Sequence, residues 1–336
     1  MRDIRRMKPG PLNLITDVPG LLVGNATDEA VRTGVTVIAC DRPMAAAADL
    51  RGGGVGVRET AALDPDHLVG KAHALVLTGG SVFGLAAADG VAAGLSARGV
   101  GLHITAGSPS IPIVPAAVLH DLANGGDKAW GLDPPYRRLG LEALEAAGRD
   151  FALGAVGAGR GARAGMVAGG LGSASLDLGG GLVVGALAAV NSVGGVFMPD
   201  GETFWAWPWE IGGEFGGRRP KADTPPAVDP VPDQSRLGLM GAVGANTTLA
   251  VVATSADLTT AECRRLAIMA QDGLARAIRP VHTPYDGDAV FALATGAVPL
   301  DPGRDRAWHV ARLGSAAADC LARAVARGVW LARPGN

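Results

Sequence analysis

Cysteine is scarce in this 336-residue chain. Cys40, Cys263 and Cys320 are odd in number, far apart and without a Cys-x-x-Cys pair, which argues against a disulfide framework and a zinc ribbon and fits a reducing cytoplasm. Aromatic residues make up only 4% of the chain, and 30 basic side chains are met by 32 acidic ones, a formal charge of −2. With no basic stripe, the electrostatic footprint of a nucleic-acid binder is missing. Long apolar runs are missing too: the longest, Gly181 to Val190, is too short to span a bilayer and is expected to be a buried strand. The basic start, Met1 to Lys8, meets Pro9-Gly10-Pro11 instead of an apolar segment and does not read as a secretory signal. Without that route, the N-glycosylation pattern Asn246-Thr247-Thr248 carries no weight as a glycan site.

What is abundant is glycine, 51 residues of it, placed between short apolar stretches in a chain that is 48% apolar and so able to bury a sizeable core. Gly34–Cys40, His73–Leu77, Gly181–Val190, Thr248–Ser255 and Asp288–Thr295 are expected to be strands, being short, apolar and bounded by Gly, Asp or Asn. Helices are expected over Ser81–Ala97, with Ser81 as N-cap, over Thr259–Ala277, opened by a Thr259/Glu262 capping box, and over Ala307–Arg327, stopped by Gly328. From Pro199 to Arg236 the chain turns rich in Trp and Pro without a period, which predicts a long loop, mobile at Lys221–Ser235. Trp205, Trp207 and Trp209 in it suit packing, an oligomer contact or a pocket wall.

Three patterns invite chemistry. Gly157–Ala162 fits the dinucleotide fingerprint, but no clear helix follows it, so tight turns around a site are the better reading and no cofactor is expected. Gly79, Gly80 and Ser81, between a strand and a helix, could present backbone N–H groups to a substrate. His282, Asp286 and Asp288 lie within seven residues and could ligate a metal, though no second ligand cluster supports them; alternatively the two carboxylates orient an amine or hydroxyl.

The fourth pattern is Asn246-Thr247-Thr248, where a shapeless loop turns into a strand. A threonine hydroxyl is a weak nucleophile unless a base adjoins it, and at a chain's amino terminus its own α-amine, of pKa near ~8, can serve. A cut between Asn246 and Thr247 would create that terminus, giving chains of residues 1–246 and 247–336 from one self-processing domain, with 199–245 as the loop before the cut.

The segments "ITDVPGLLVGNAT" (15–27), "DLRGGGVGVRET" (49–60), "LTGGSVFGLAAADGVAAGL" (77–95), "IPIVPAAVLHDL" (111–122), "NTTLAVVAT" (246–254) and "IRPVHTPYDGDAVFALATG" (278–296) occur in one order. Together they resemble the self-processing family of L-aminopeptidase/D-amino-acid esterases, which also holds β-aminopeptidases and nylon-oligomer hydrolases. The resemblance implies an α/β fold, a four-layer αββα sandwich of the N-terminal-nucleophile type, and a homo-oligomer, often a tetramer. It implies that Thr247 is the nucleophile, that Asn191 polarises the scissile carbonyl, and that Asp286 and Asp288 position the Thr247 amine and hydroxyl. His120 stands where some members have an aromatic, close to the substrate. The implied substrate is a small peptide or amide, with no metal or organic cofactor. Ala168 stands where many members carry lysine, and Arg160 and Arg163 stay protonated and cannot act as its base. That loss leaves open an uncut member acting as a binding or assembly protein, beside the metal hydrolase of His282, Asp286 and Asp288.

Overall fold

The computed structural model describes residues 8–224, 227, 229–239 and 246–335. Residues 1–7 of the basic start and the last residues before Asn246 therefore lie outside the described residues, as does part of the Pro-rich stretch.

Nine strands share one hydrogen-bonded network, and a single long strand joins its two halves. Strand β2 (Thr33–Leu50) begins between β1 (Leu21–Asp28) and β4 (Lys71–Thr78), both antiparallel to it. Its pairing with β4 slips between Ala39 and Met44, at the exposed Asp41-Arg42-Pro43, where proline removes a ladder donor. Beyond the slip, Ala45–Leu50 pairs with β11 (Ala289–Val298). Strand β11 runs parallel to β10 (Thr247–Ala256), then come β9 (Val183–Asn191) and β8 (Gly170–Asp177), each antiparallel to its neighbour. The short β5 (Ala116–Val118) and β3 (Val57–Arg58) close the other edge, and β6 (Arg163–Ala164) with β7 (Val167–Ala168) forms a separate ribbon.

Side-chain alternation then sorts the chain into layers. Ile38, Leu75 and Leu77 of one half pack with Leu249, Val251, Phe291 and Leu293 of the other, so the halves face each other across a buried core. The opposite faces carry helices. α1 (Ala87–Ala97) and α2 (Tyr136–Glu145) cover Val35, Val37 and Val76, while α3 (Thr260–Ala277) and α4 (Arg306–Leu331) cover Ala250, Val252 and Val290. Three cores between four layers make the αββα sandwich. Small residues set its spacing: a Cβ on Gly172 would lie 2.0 Å from the Ala324 carbonyl, so α4 rests almost on the backbone of β8.

The five expected strands all form, and β2 runs on ten residues past Cys40. Thr259 caps α3 with the reciprocal Glu262 bond. Ser81 is no N-cap: Ser81–Ala86 is a 3-10 turn entered from Gly80, and regular α-helix starts at Ala87. Helix α4 also passes through Gly328, whose lack of a side chain serves its contact with β8. The end of the Pro-rich loop, expected to be mobile, is pinned, with Ser235 buried and Gln234 bonded to Met198 and Met166. The three cysteines are free and buried, and no helix among the described residues is long and apolar enough to cross a membrane.

Candidate active site

Strand directions bring distant residues to one end of the sheet. Strands β10 and β11 run parallel and so begin side by side, and antiparallel β9 ends there, pairing Asn191 with Thr247. The loop entering β11 carries Asp286, Gly287 and Asp288, and Asn246 bridges to Asp286. Backbone N–H groups of Arg51 and Gly54 hold the carbonyls of Asp288 and Asp286 at 3.0 and 2.8 Å, so the Gly-rich stretch after β2 clamps this loop.

The bond between Asn246 and Thr247 lies at the centre. Thr247 Oγ donates to the Asn246 carbonyl oxygen at 2.5 Å, and the Gly287 N–H donates to the same oxygen at 2.8 Å. A Cβ at Gly287 would come within 2.5 Å of Thr247 Oγ, so only glycine fits at this distance. Asn191 Oδ1 accepts from the Arg163 N–H at 2.9 Å, and Nδ2 gives one N–H to the His120 carbonyl at 3.1 Å. The second Nδ2 hydrogen remains for another acceptor.

The two carboxylates hold Thr248, His282, Val193 and Thr283 rather than the Thr247 side chain. Asp288 accepts from the Thr248 N–H at 2.7 Å and from His282 Nδ1 at 2.8 Å, while Asp286 accepts from the N–H groups of Val193 and Thr283 and from Thr283 Oγ. Both are buried. The oxygens of Asp286 are thus committed to Val193 and Thr283 and the Nδ1 of His282 to Asp288, so the three do not converge on a common metal position. Burial first, and the charge of Asp288 second, raise the pKa of Asp286 above its ordinary 3.8. The folded chain therefore holds that proton more tightly than the unfolded chain, and ionising it lowers stability as pH rises from about 4 through the raised value. Urea unfolding between pH 4 and 7 is expected to show a smaller decline in Asp286→Asn than in the wild type. Parallel declines would contradict it.

His120 borders a cavity of about 200 Å³ together with Asp121, Arg163, Asn191 and Arg236. Gly79, Gly80 and Ser81 stay behind its wall, their N–H groups given to the Gly34 carbonyl, Asp121 Oδ1 and the Leu119 carbonyl. Ala168 is the cross-strand partner of Arg163, so a guanidinium stands beside the position where lysine was expected. The Gly157–Ala162 turn leads into β6 rather than a helix, as expected of a packing turn. Trp205, Trp207 and Trp209 each stack on an arginine, Arg279, Arg219 and Arg276 respectively.

Two participants went unread in the sequence. Arg236 Nη2 donates to the carbonyls of Arg163, Asn191 and Ser192, and burial pushes its pKa down to about 10, still charged at neutral pH. Nothing around Ser235-Arg236 marks it. Gly287 had a signal, a glycine between two aspartates, but that signal also fits an ordinary turn.

A model of peptidase family S58 matches residues 13–335. The chain is 46% identical over 338 residues to an uncharacterized aminopeptidase of Mycobacterium tuberculosis (strain ATCC 25618 / H37Rv), covering 96% of this chain and 95% of that one. It is 31% identical over 322 residues to the 6-aminohexanoate-oligomer endohydrolase of Agromyces sp. (strain KY5R), covering 92% and 84%. The l-aminopeptidase d-ala-esterase/amidase from Ochrobactrum anthropi, a variant of the Ntn hydrolase fold, superposes with a TM-score of 0.67 at 22% identity, over 96% of this chain and 87% of that one, a likeness of fold. With the family match spanning nearly its whole length, the chain belongs to peptidase family S58, a hydrolase of the aminopeptidase kind.

Proposed function

We propose that this hydrolase activates itself by cutting between Asn246 and Thr247 and then works through the freed Thr247. The observation that carries the reading is the convergence of Thr247 Oγ and the Gly287 N–H on one carbonyl oxygen, that of Asn246. In the cut, Oγ attacks the Asn246 carbonyl carbon, and the oxygen that becomes anionic already accepts the Gly287 N–H. The tetrahedral intermediate collapses with loss of the Thr247 nitrogen, which takes up the hydroxyl proton and leaves Asn246 as an ester on Oγ. Water then hydrolyses the ester, giving a carboxylate at Asn246 and a free amine on Thr247.

In turnover the α-amine of Thr247 takes the hydroxyl proton while Oγ attacks an amide or ester carbonyl. The spare Asn191 N–H meets the developing oxyanion, the proton passes to the leaving amine, and water releases the acyl group. Asp288 fixes Thr248 and Asp286 fixes Val193, so both carboxylates hold the strand ends that carry Thr247 and Asn191. Small peptides with a free amino end and short amide oligomers are the substrates proposed, in line with the aminopeptidase and the oligomer endohydrolase to which the chain is similar.

Denaturing mass analysis with amino-terminal sequencing tests the cut. Two chains are expected, the smaller beginning Thr247-Thr248-Leu249. A single 33.7 kDa species that persists through long incubation while still hydrolysing substrate would refute the reading.

A further inference from the structure

A cationic trough adjoins the strand ends, and neither bond breaking nor the fold calls for it. The cavity that Asn191 borders shares Asn124, Gly161 and Arg163 with a second cavity of about 380 Å³, bordered also by Arg32, Arg160 and Ala168. Arg160 is matched by Glu29 in a two-pronged pair at 2.6–3.1 Å. Among the described residues, Arg32, Arg163 and Arg236 form no ion pair. Arg32 and Arg163 make only 3.4 Å contacts with the carbonyls of Asn124 and Met166, too long to saturate a guanidinium.

The carboxylates nearby offset this charge only in part, Glu29 acting on Arg32 as well as on Arg160 and Asp286 acting on Arg236. Asp121 is turned into the protein, accepting from Thr33 Oγ at 2.6 Å and from the Gly80 N–H at 2.8 Å, and its burial favours the uncharged acid. Asp286 is tied to Val193 and Thr283. Lys128 adds a further cation from behind, bonded to Asn124 Oδ1 at 3.1 Å. Guanidinium groups with free N–H forks around an open cavity match the planar, two-oxygen geometry of a carboxylate.

Building on the reading in which Asn191 receives the scissile carbonyl oxygen, we propose that the preferred substrates are peptides or amides bearing a carboxylate, which Arg163 and Arg32 bind in this trough. Arg163 links the two functions. Its backbone N–H orients the Asn191 amide at 2.9 Å, and its side chain faces the trough, so the anionic group and the reacting carbonyl are set by one residue. The carboxylate is either the peptide's own C-terminus or an acidic side chain.

Binding to uncut Thr247→Ala protein tests this without turnover. Calorimetry would compare glycylglycine, its C-terminal amide, and glutamylglycine amide, which carries its carboxylate on the side chain. At least one of the two carboxylate probes is expected to bind roughly tenfold tighter than glycylglycine amide, with the advantage shrinking at high salt and vanishing when Arg32→Ala and Arg163→Ala are added. Preference for glycylglycine assigns the C-terminal carboxylate, and preference for the glutamyl probe assigns the side chain. If neither outbinds glycylglycine amide in the otherwise unaltered trough, the proposal is overturned, whatever the arginine variants do. Failure of self-cleavage shows separately, as an unsplit wild-type chain.

Discussion

Thr247→Ala is expected to yield one uncut, folded chain whose hydrolysis rate falls on the order of 10⁴-fold or more, the scale seen when a covalent nucleophile is removed. Two losses coincide in that variant. The methyl side chain cannot attack the Asn246 carbonyl, so the peptide bond stays closed; with it closed, residue 247 has no free amine to act as base. The fold should tolerate the change, because the packing of β10 rests on Leu249, Ala250, Val251 and Val252, all fully buried between neighbouring strands and helices. Thr248→Ala is the control. Its hydroxyl makes no hydrogen bond and its N–H, which Asp288 holds, survives the substitution, so cutting should continue. Mass spectra of the two variants decide the matter: fragments from Thr247→Ala together with none from Thr248→Ala would move the nucleophile by one residue.

The parts of the fold that could be read in advance were those whose residues obey one rule at a time. Thr259 and Glu262 form a local capping box, and the apolar β9 and β10 are buried on both faces. Strand β8 reads as a loop because it is built from Gly170, Gly172, Ser173 and Ser175. Its serines are tolerable inside only because Ser173 Oγ donates to the Ala186 carbonyl and Ser175 Oγ to Asp17, partners remote in sequence. Helix α2 did carry a helical stripe, Tyr136, Leu139, Gly140, Ala143 and Leu144, hidden behind two prolines and a central glycine. At the site, the strand entry at Thr247 and the paired aspartates were visible locally. Their meeting with Asn191 depends on strand order, for which one sequence holds no local sign; family resemblance supplied that pairing. Arg236 escaped both routes, since its role comes from a loop returning to three carbonyl oxygens.

Gly287→Ala tests whether the Asn246 carbonyl must sit where it does. The added Cβ would lie 2.5 Å from Thr247 Oγ and 2.7 Å from the Gly54 carbonyl, and neither gap accommodates a methyl group. The clamp from Arg51 and Gly54 limits how far the loop can withdraw, because it holds the carbonyls on both sides of Gly287. The loop must therefore shift away from Thr247, lengthening the 2.8 Å bond from the residue 287 N–H to the Asn246 oxygen or turning Thr247 Oγ from its place. Overpacking of this kind costs about 1–3 kcal/mol, which a sandwich with three cores should survive with a cooperative melt. Misplacement of a reacting group by about 1 Å costs roughly 10²-fold in rate, so fragment appearance should slow by that order while the chain stays folded. Time courses of cutting, run beside thermal melts, separate the two effects. Cutting at the wild-type rate in a folded Gly287→Ala chain would mean that the Gly287 N–H does not stabilise the oxyanion, and the donor would have to be sought elsewhere around Asn246.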